Sequence, residues 1–213
     1  MLYKVNMKTE ILSIYDPQAL ALAIDILAGG GVVAFPTDTV YGVGAVALDD
    51  LAVAQLYEVK GRSLEKAIPV LVGDFEQLSL VAAGVNRMSE KLARRFWPGP
   101  LTLVVPKLPS LPEAISALPT VGVRIPNFEP TRELLRLTGP LAVTSANISG
   151  QASPSTAHEV EVQLGGRIPL ILDGGLTPGG IPSTVVDCSG AEPKLLREGP
   201  ISFELVLIAL NME

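Results

Sequence analysis

Residues 35–45 read Phe-Pro-Thr-Asp-Thr-Val-Tyr-Gly-Val-Gly-Ala, and fifteen positions after Ala45 stands Lys60-Gly61-Arg62. Val32, Val33, Ala34 and Phe35 lead into this stretch, so a buried strand runs into a turn of Pro, Thr and Gly. One short helix then separates the turn from two cations. A strand end, a cluster of hydroxyls and a pair of cations in that order build a small-molecule pocket suited to an anion.

Working outward, two apolar patterns alternate along the chain. Leu101 to Val105, Val121 to Ile125, Leu141 to Thr144, Leu170 to Asp173 and Thr184 to Asp187 are short β-branched runs bounded by Gly or Pro, the signature of strands. Asp16-Pro17 opens a helix with the stripe Leu20, Ala23, Ile24 and Leu27, closed by Gly29-Gly30-Gly31. Asp49 or Asp50 opens a second, which stops at Gly61. Met88, Leu92 and Phe96 mark a third, ending at Pro98-Gly99-Pro100, and Thr156 with Glu159 forms the capping box of a fourth, closed by Gly165-Gly166. Strands mixed with helices predict an α/β fold on an open, twisted, mixed β-sheet with flanking helices. Without internal repeats or a dividing linker, residues 1–213 read as a single domain, and Gly174 to Pro182 reads as a pocket loop.

Composition limits the function. At 213 residues and 48% hydrophobic, the chain buries a sizeable core and is not disordered. No apolar run reaches the roughly 18 residues of a membrane span. Met1 to Glu10 lacks an apolar signal core, and a single cysteine, Cys188, forms no internal disulfide; both point to the cytoplasm. A net charge of −6 argues against generic binding to a phosphate backbone, so any anion must meet a few local cations.

Familiar motifs are missing or broken. The chain has no P-loop, and Gly42-Val43-Gly44-Ala45-Val46-Ala47 fits the dinucleotide fingerprint only if a helix starts within the glycines, whereas the capping aspartates come at 49 and 50. With one histidine, His158, and one cysteine, zinc sites and Cys/His catalysis lack their parts, and no metal-ligand set is expected. Arg87, Lys91, Arg94 and Arg95 form a basic helix face, either solvated or an RNA contact. What remains are cations and hydroxyls at strand ends. Arg124 lies inside the apolar run Val121 to Ile125 and requires an anionic partner. Thr144-Ser145-Ala146-Asn147-Ile148-Ser149-Gly150 follows another strand, Ser183 enters one, and Arg197 ends one. Such a set fits catalysis by positioning and electrostatics on a phosphate substrate.

Taken together, Pro-Thr-Asp-Thr-Val-Tyr-Gly, Lys-x-Arg, Val-Gly-Val-Arg-Ile-Pro, Ser-Ala-Asn-x-Ser-Gly, Ser-Thr-Val-Val-Asp and Leu-Arg-Glu-Gly resemble the YrdC-like threonylcarbamoyl-AMP synthases, over roughly residues 12–205. The resemblance implies an open α/β fold around a large, positively lined cavity. It implies a nucleotidyltransferase that condenses L-threonine, bicarbonate or CO2, and ATP into threonylcarbamoyl-AMP with release of pyrophosphate, Mg2+ accompanying the ATP. The product would pass to partner proteins that modify adenosine 37 of tRNA. By matching motif, Lys60 and Arg62 would be catalytic and bind ATP with Thr120, Asn147, Ser155 and Arg197, while Thr37, Arg124, Ser145 and Ser183 would hold L-threonine. The chain departs from the family in having Ser63 where many relatives have proline, and no histidine eight or nine positions beyond Arg62. An RNA-binding module, or a paralogue acting on a different carbamoyl-adenylate, is the alternative reading.

Overall fold

Alternation along the strands sorts side chains onto two faces of one sheet. The computed structural model describes residues 8–178 and 180–212; residues 1–7, read above for an export signal, and Gly179 of the expected pocket loop lie outside them. The strands are β1 (Glu10–Ser13), β2 (Val33–Phe35), β3 (Gly42–Val46), β4 (Val70–Leu71), β5 (Leu101–Pro106), β6 (Thr120–Arg124), β7 (Leu141–Ser145), β8 (Leu170–Asp173), β9 (Thr184–Asp187) and β10 (Lys194–Arg197). The helices are α1 (Pro17–Ala28), α2 (Asp50–Lys60), α3 (Arg87–Phe96), α4 (Glu129–Thr138), α5 (Ala157–Leu164) and α6 (Phe203–Asn211). The strands join in the order β1-β8-β2-β3-β7-β4-β6-β5-β9-β10, a mixed, open sheet. β1/β8, β8/β2, β4/β6 and β5/β9 pair in parallel and the remaining neighbours antiparallel.

One set of alternating residues, including Ala34, Val43, Ala142, Ile171, Leu103, Val123 and Val186, packs with α2, α3, α5 and α6 into the larger core. The other set, including Val33, Phe35, Leu141, Val143, Leu170 and Leu172, packs against Ala19, Ala23 and Leu27 of α1 and Leu134 and Leu135 of α4. Helices α1 and α4 therefore cover one end of this second face. On its other end, over β4, β6, β5, β9 and β10, the strands present Gly122, Arg124, Thr102, Val104 and Val185 to a cavity.

The caps follow the sequence. The Asp16 carboxylate accepts from Gln18 N at 2.9 Å to start α1. Asp49, rather than Asp50, starts α2, accepting from Leu51 N and Ala52 N, and Gly61 ends it in the left-handed region at φ 59°. That glycine turns the chain so that Arg62 leaves the axis on which Lys60 sits. In the expected capping box, Thr156 Oγ1 accepts from Glu159 N at 3.2 Å, but the Glu159 carboxylate returns one residue earlier, to Ser155 N at 2.6 Å.

Gly42–Val46, expected to be part of a turn, is a strand at the centre of the sheet, between β2 and β7. Its glycines serve packing. A Cβ on Gly42 would stand 2.7 Å from Val143 Cγ1, and one on Gly44 3.1 Å from the Phe35 ring. The short strands β1 and β4 and the helices α4 and α6 add to the expected elements. Among the described residues no helix is long and apolar enough to cross a membrane.

Candidate functional site

The uncovered part of the sheet forms a cavity of about 330 Å3. Arg62, Arg124 and Arg197 line it together with Thr37, Ser145 and Ser183, and among the described residues no Asp or Glu does. Three guanidinium groups from stretches far apart in sequence thus converge in a protein of net charge −6.

Each cation is held differently. Arg124 ends β6 and is 5% exposed. Its Nε donates to Gly99 O at 3.0 Å, Nη1 to Thr39 Oγ1 at 3.1 Å, and Nη2 to Asp38, with which it forms an ion pair. Burial pushes its pKa below the usual arginine range and the Asp38 carboxylate pushes it back up. The anionic partner that the sequence demanded of this buried charge is thus supplied by the turn between β2 and β3. Arg197 stands at the end of β10, its Nε and Nη2 donating to Ser183 O at 3.0 and 2.8 Å. Its pKa is lowered by burial first and by the charge of Arg124 second, which places the two guanidiniums in one field. Arg62 lies just past α2 and donates to Lys66 O and Ala67 O at 3.3 and 2.9 Å.

Lys60 is 1% exposed and does not line the cavity. Its Nζ donates to Ser145 O, Asn147 O and, at 3.3 Å, Asn147 Oδ1, so its ammonium braces the turn that follows β7. Burial, then the neighbouring Arg62, lowers its pKa to about 7. Asn147 completes the turn, its Nδ2 donating to Ile148 O and Gln151 O at 2.8 Å. The carbonyl and hydroxyl of Ser145 are both bound within this turn, the hydroxyl donating to Asn147 Oδ1.

The hydroxyls form a second network. Thr37 Oγ1 donates to Val40 O at 2.7 Å and accepts from Thr39 N and Val40 N. Its single hydrogen being spent there, Thr39 is the donor in the 2.9 Å contact between the two hydroxyls. Ser183 Oγ and Thr102 Oγ1 lie 2.8 Å apart on β9 and β5. The loop after β8 is fastened to the β2–β3 turn and to the segment before α5. Tyr41 Oη donates to Gly175 O at 2.8 Å, Thr177 N to Ser155 O at 2.9 Å and Gly180 N to Thr39 O at 2.9 Å. Burial, the largest cause, raises the Tyr41 phenol to about 12.

Of the residues singled out from sequence, Thr37, Arg62, Arg124, Ser145, Ser183 and Arg197 line the cavity, and Lys60, Thr120, Asn147 and Ser155 do not. Lys60 and Asn147 stand behind Ser145. Thr120 shares the face of Gly122 and Arg124 at the far end of β6, and Ser155 lies under the loop after β8. Sequence reading missed Asp38 as the partner of Arg124 and the lining residues Thr39, Thr102 and Ser116, while Thr144 of the donor cluster after β7 does line the cavity. The alternation of Thr102 and Val104 with Leu101 and Leu103 was the available signal. On the basic face of α3, Lys91 caps the end of α6 through Leu210 O and Met212 O, while Arg94, paired with Glu90, and Arg95, over the Phe96 ring at 5.7 Å, stay exposed. His158 is exposed and Cys188 is buried, with its thiol raised to about 12.

Residues 25–199 match the Sua5_yciO_yrdC family, described as telomere recombination. The chain belongs to this family. Among its members, the threonylcarbamoyl-AMP synthases of Pyrococcus abyssi and Bacillus subtilis are 45% and 42% identical over 87% and 93% of the chain, which spans 55% and 58% of their lengths. A Mycobacterium tuberculosis protein provisionally given the same name is 40% identical, with 96% of this chain and 97% of that protein aligned. The crystal structure of Pyrococcus abyssi Sua5 complexed with L-threonine superposes with a TM-score of 0.91 at 41% identity, covering 95% of this chain and 61% of that one. Escherichia coli YciO shares the fold, with a TM-score of 0.82 at 24% identity over 94% of this chain and 99% of that one.

Proposed function

We propose that this chain is a single-domain, cytoplasmic L-threonylcarbamoyladenylate synthase, a nucleotidyltransferase that joins L-threonine, bicarbonate or CO2, and ATP and releases pyrophosphate. The observation that carries this reading is the convergence of Arg62, Arg124 and Arg197 on one hydroxyl-lined cavity in an acidic family member.

In this reading the threonine carboxylate pairs with Arg124, whose planar fork suits a bidentate anion. Thr37, Ser145 and Ser183 surround the amino acid. The threonine amine captures CO2 to give an N-carboxylate, which attacks the α-phosphorus of ATP and expels pyrophosphate. Arg62 and Arg197 offset the charge that grows on the phosphates. Lys60 adds its charge from behind Ser145, with Asn147, Thr120 and Ser155 completing the nucleotide side. Mg2+ would enter with the ATP. Among the described residues no group of three or more His, Cys, Asp or Glu is placed to hold a metal ion, so in this reading the ATP phosphates would carry the Mg2+. The product would feed proteins that install the threonylcarbamoyl group on adenosine 37 of tRNA.

The test is pyrophosphate release by the purified protein with the three substrates together and with each left out. Release that requires all three is expected; release without threonine, or none at all, overturns the reading. In a chain of net charge −6 RNA binding is the weaker alternative, and it predicts steep salt-dependent affinity for tRNA without turnover.

A further inference from the structure

A guanidinium has five N–H donors. In Arg124 three are committed among the described residues, through Gly99 O on Nε, Thr39 Oγ1 on Nη1 and Asp38 Oδ1 on Nη2. Two remain, one on each terminal nitrogen, which is the number a single bidentate carboxylate needs. Each of the three nitrogens is anchored once, which fixes the planar group in the wall of the cavity that Arg124 lines.

Asp38 itself is absent from the cavity lining, and its side chain is 10% exposed against 6% for that of Arg124. It contacts the guanidinium without lining the cavity. We infer that Asp38 is a positioning residue for amino-acid binding, holding the Arg124 fork in the one orientation that presents both uncommitted donors to a substrate carboxylate. Thr39 is its companion, since its hydroxyl accepts from Nη1 and donates to Thr37 Oγ1, tying the fork to the turn in which Asp38 sits. Charge separates the two halves of the cavity. Asp38 offsets the charge of Arg124, so binding there depends on alignment, whereas among the described residues Arg62 and Arg197 contact backbone carbonyls and no carboxylate.

This inference rests on the proposal that threonine pairs with Arg124, and its test keeps the two apart. KM for threonine and for ATP would be measured in Asp38→Asn and Asp38→Ala, with threonine binding followed separately by calorimetry without ATP. Asp38→Asn keeps an acceptor oxygen but loses the charge, and its threonine KM is expected to rise about tenfold, more in the alanine variant, with ATP KM held within about twofold. Thr39→Val removes the Nη1 anchor without touching the ion pair, and a smaller rise in threonine KM alone is expected even if the Asp38 variants fold poorly. An unchanged threonine KM in these variants, or threonine and ATP KM rising in step, overturns the positioning role. A native threonine KM in Arg124→Ala would instead remove the carboxylate from Arg124, and with it the premise.

Discussion

Gly199 follows Arg197 by two residues and passes so close to the entry of β9 that it admits no side chain. A Cβ there would stand 2.5 Å from Thr184 N and 2.7 Å from Ser183 C, with Pro182 O closer still. All three are backbone atoms, so no rotamer change relieves the contact. Restoring ordinary van der Waals separation from Thr184 N needs a shift of about 0.9 Å. That shift falls between Arg197 and Ser183, whose 2.8 and 3.0 Å hydrogen bonds hold the guanidinium at the cavity rim. Gly199→Ala is therefore expected to destabilise the fold by about 2 kcal/mol, as overpacking does. In a chain of this size that lowers Tm by about 4–8 °C. Displacing a substrate-positioning group by close to 1 Å is expected to cut kcat/KM by about a hundredfold. The assay is threonine-dependent pyrophosphate release beside a thermal melt. Gly190→Ala, where an added Cβ meets nothing within 4 Å, is the control and keeps both values. Native Tm and kcat/KM in Gly199→Ala would refute the idea that this close approach sets the position of Arg197.

Arg62→Ala and Arg197→Ala are each expected to raise the KM for ATP about tenfold while leaving that for threonine in place, read from initial rates. Lys60→Met leaves Asn147 O without its donor, while Ser145 O keeps Asn147 N and Asn147 Oδ1 keeps the Ser145 hydroxyl, and is expected to cost about 2 kcal/mol, read as a lower urea midpoint at unchanged slope. Tyr41, raised from 10.0 to about 12, is neutral in both folded and unfolded states below pH 10. Between pH 10 and 12 the unfolded chain ionises first, so the Tyr41 contribution to stability is lost as pH rises through that window. Absorbance at 295 nm checks its late titration, and Tyr41→Phe removes that part of the alkaline loss.

Where side chains advertise their surroundings, the sequence was legible. A charge within the apolar run Val121 to Ile125 pointed to Arg124, and β-branched runs marked six strands close to where they lie. Gly42–Val46 misled because glycine disfavours strands locally, and only the ring of Phe35 and the methyls of Val143, distant in the chain, explain its use. Helix α4 lacks a side-chain cap at Phe128, and α6 is so uniformly apolar that no polar face sets its period, although Ser202 caps it. In the site, hydroxyls such as Thr102 and Ser116 carry no signal until the sheet gives them a face. The pairing of Asp38 with Arg124 spans 86 positions and needs the fold to be seen.

The half-covered face of the sheet lets foundation and tool be altered independently. On β5, β6 and β9 the residues Leu101, Leu103, Val121, Val123 and Val186 are locked into the helix-backed core, while their alternates Thr102, Val104, Gly122 and Val185 line the cavity. A mutational library confined to Val104 and Val185, the half-buried valines of that set, would redraw the contour and polarity of the pocket floor and leave the core-facing side chains of these strands untouched.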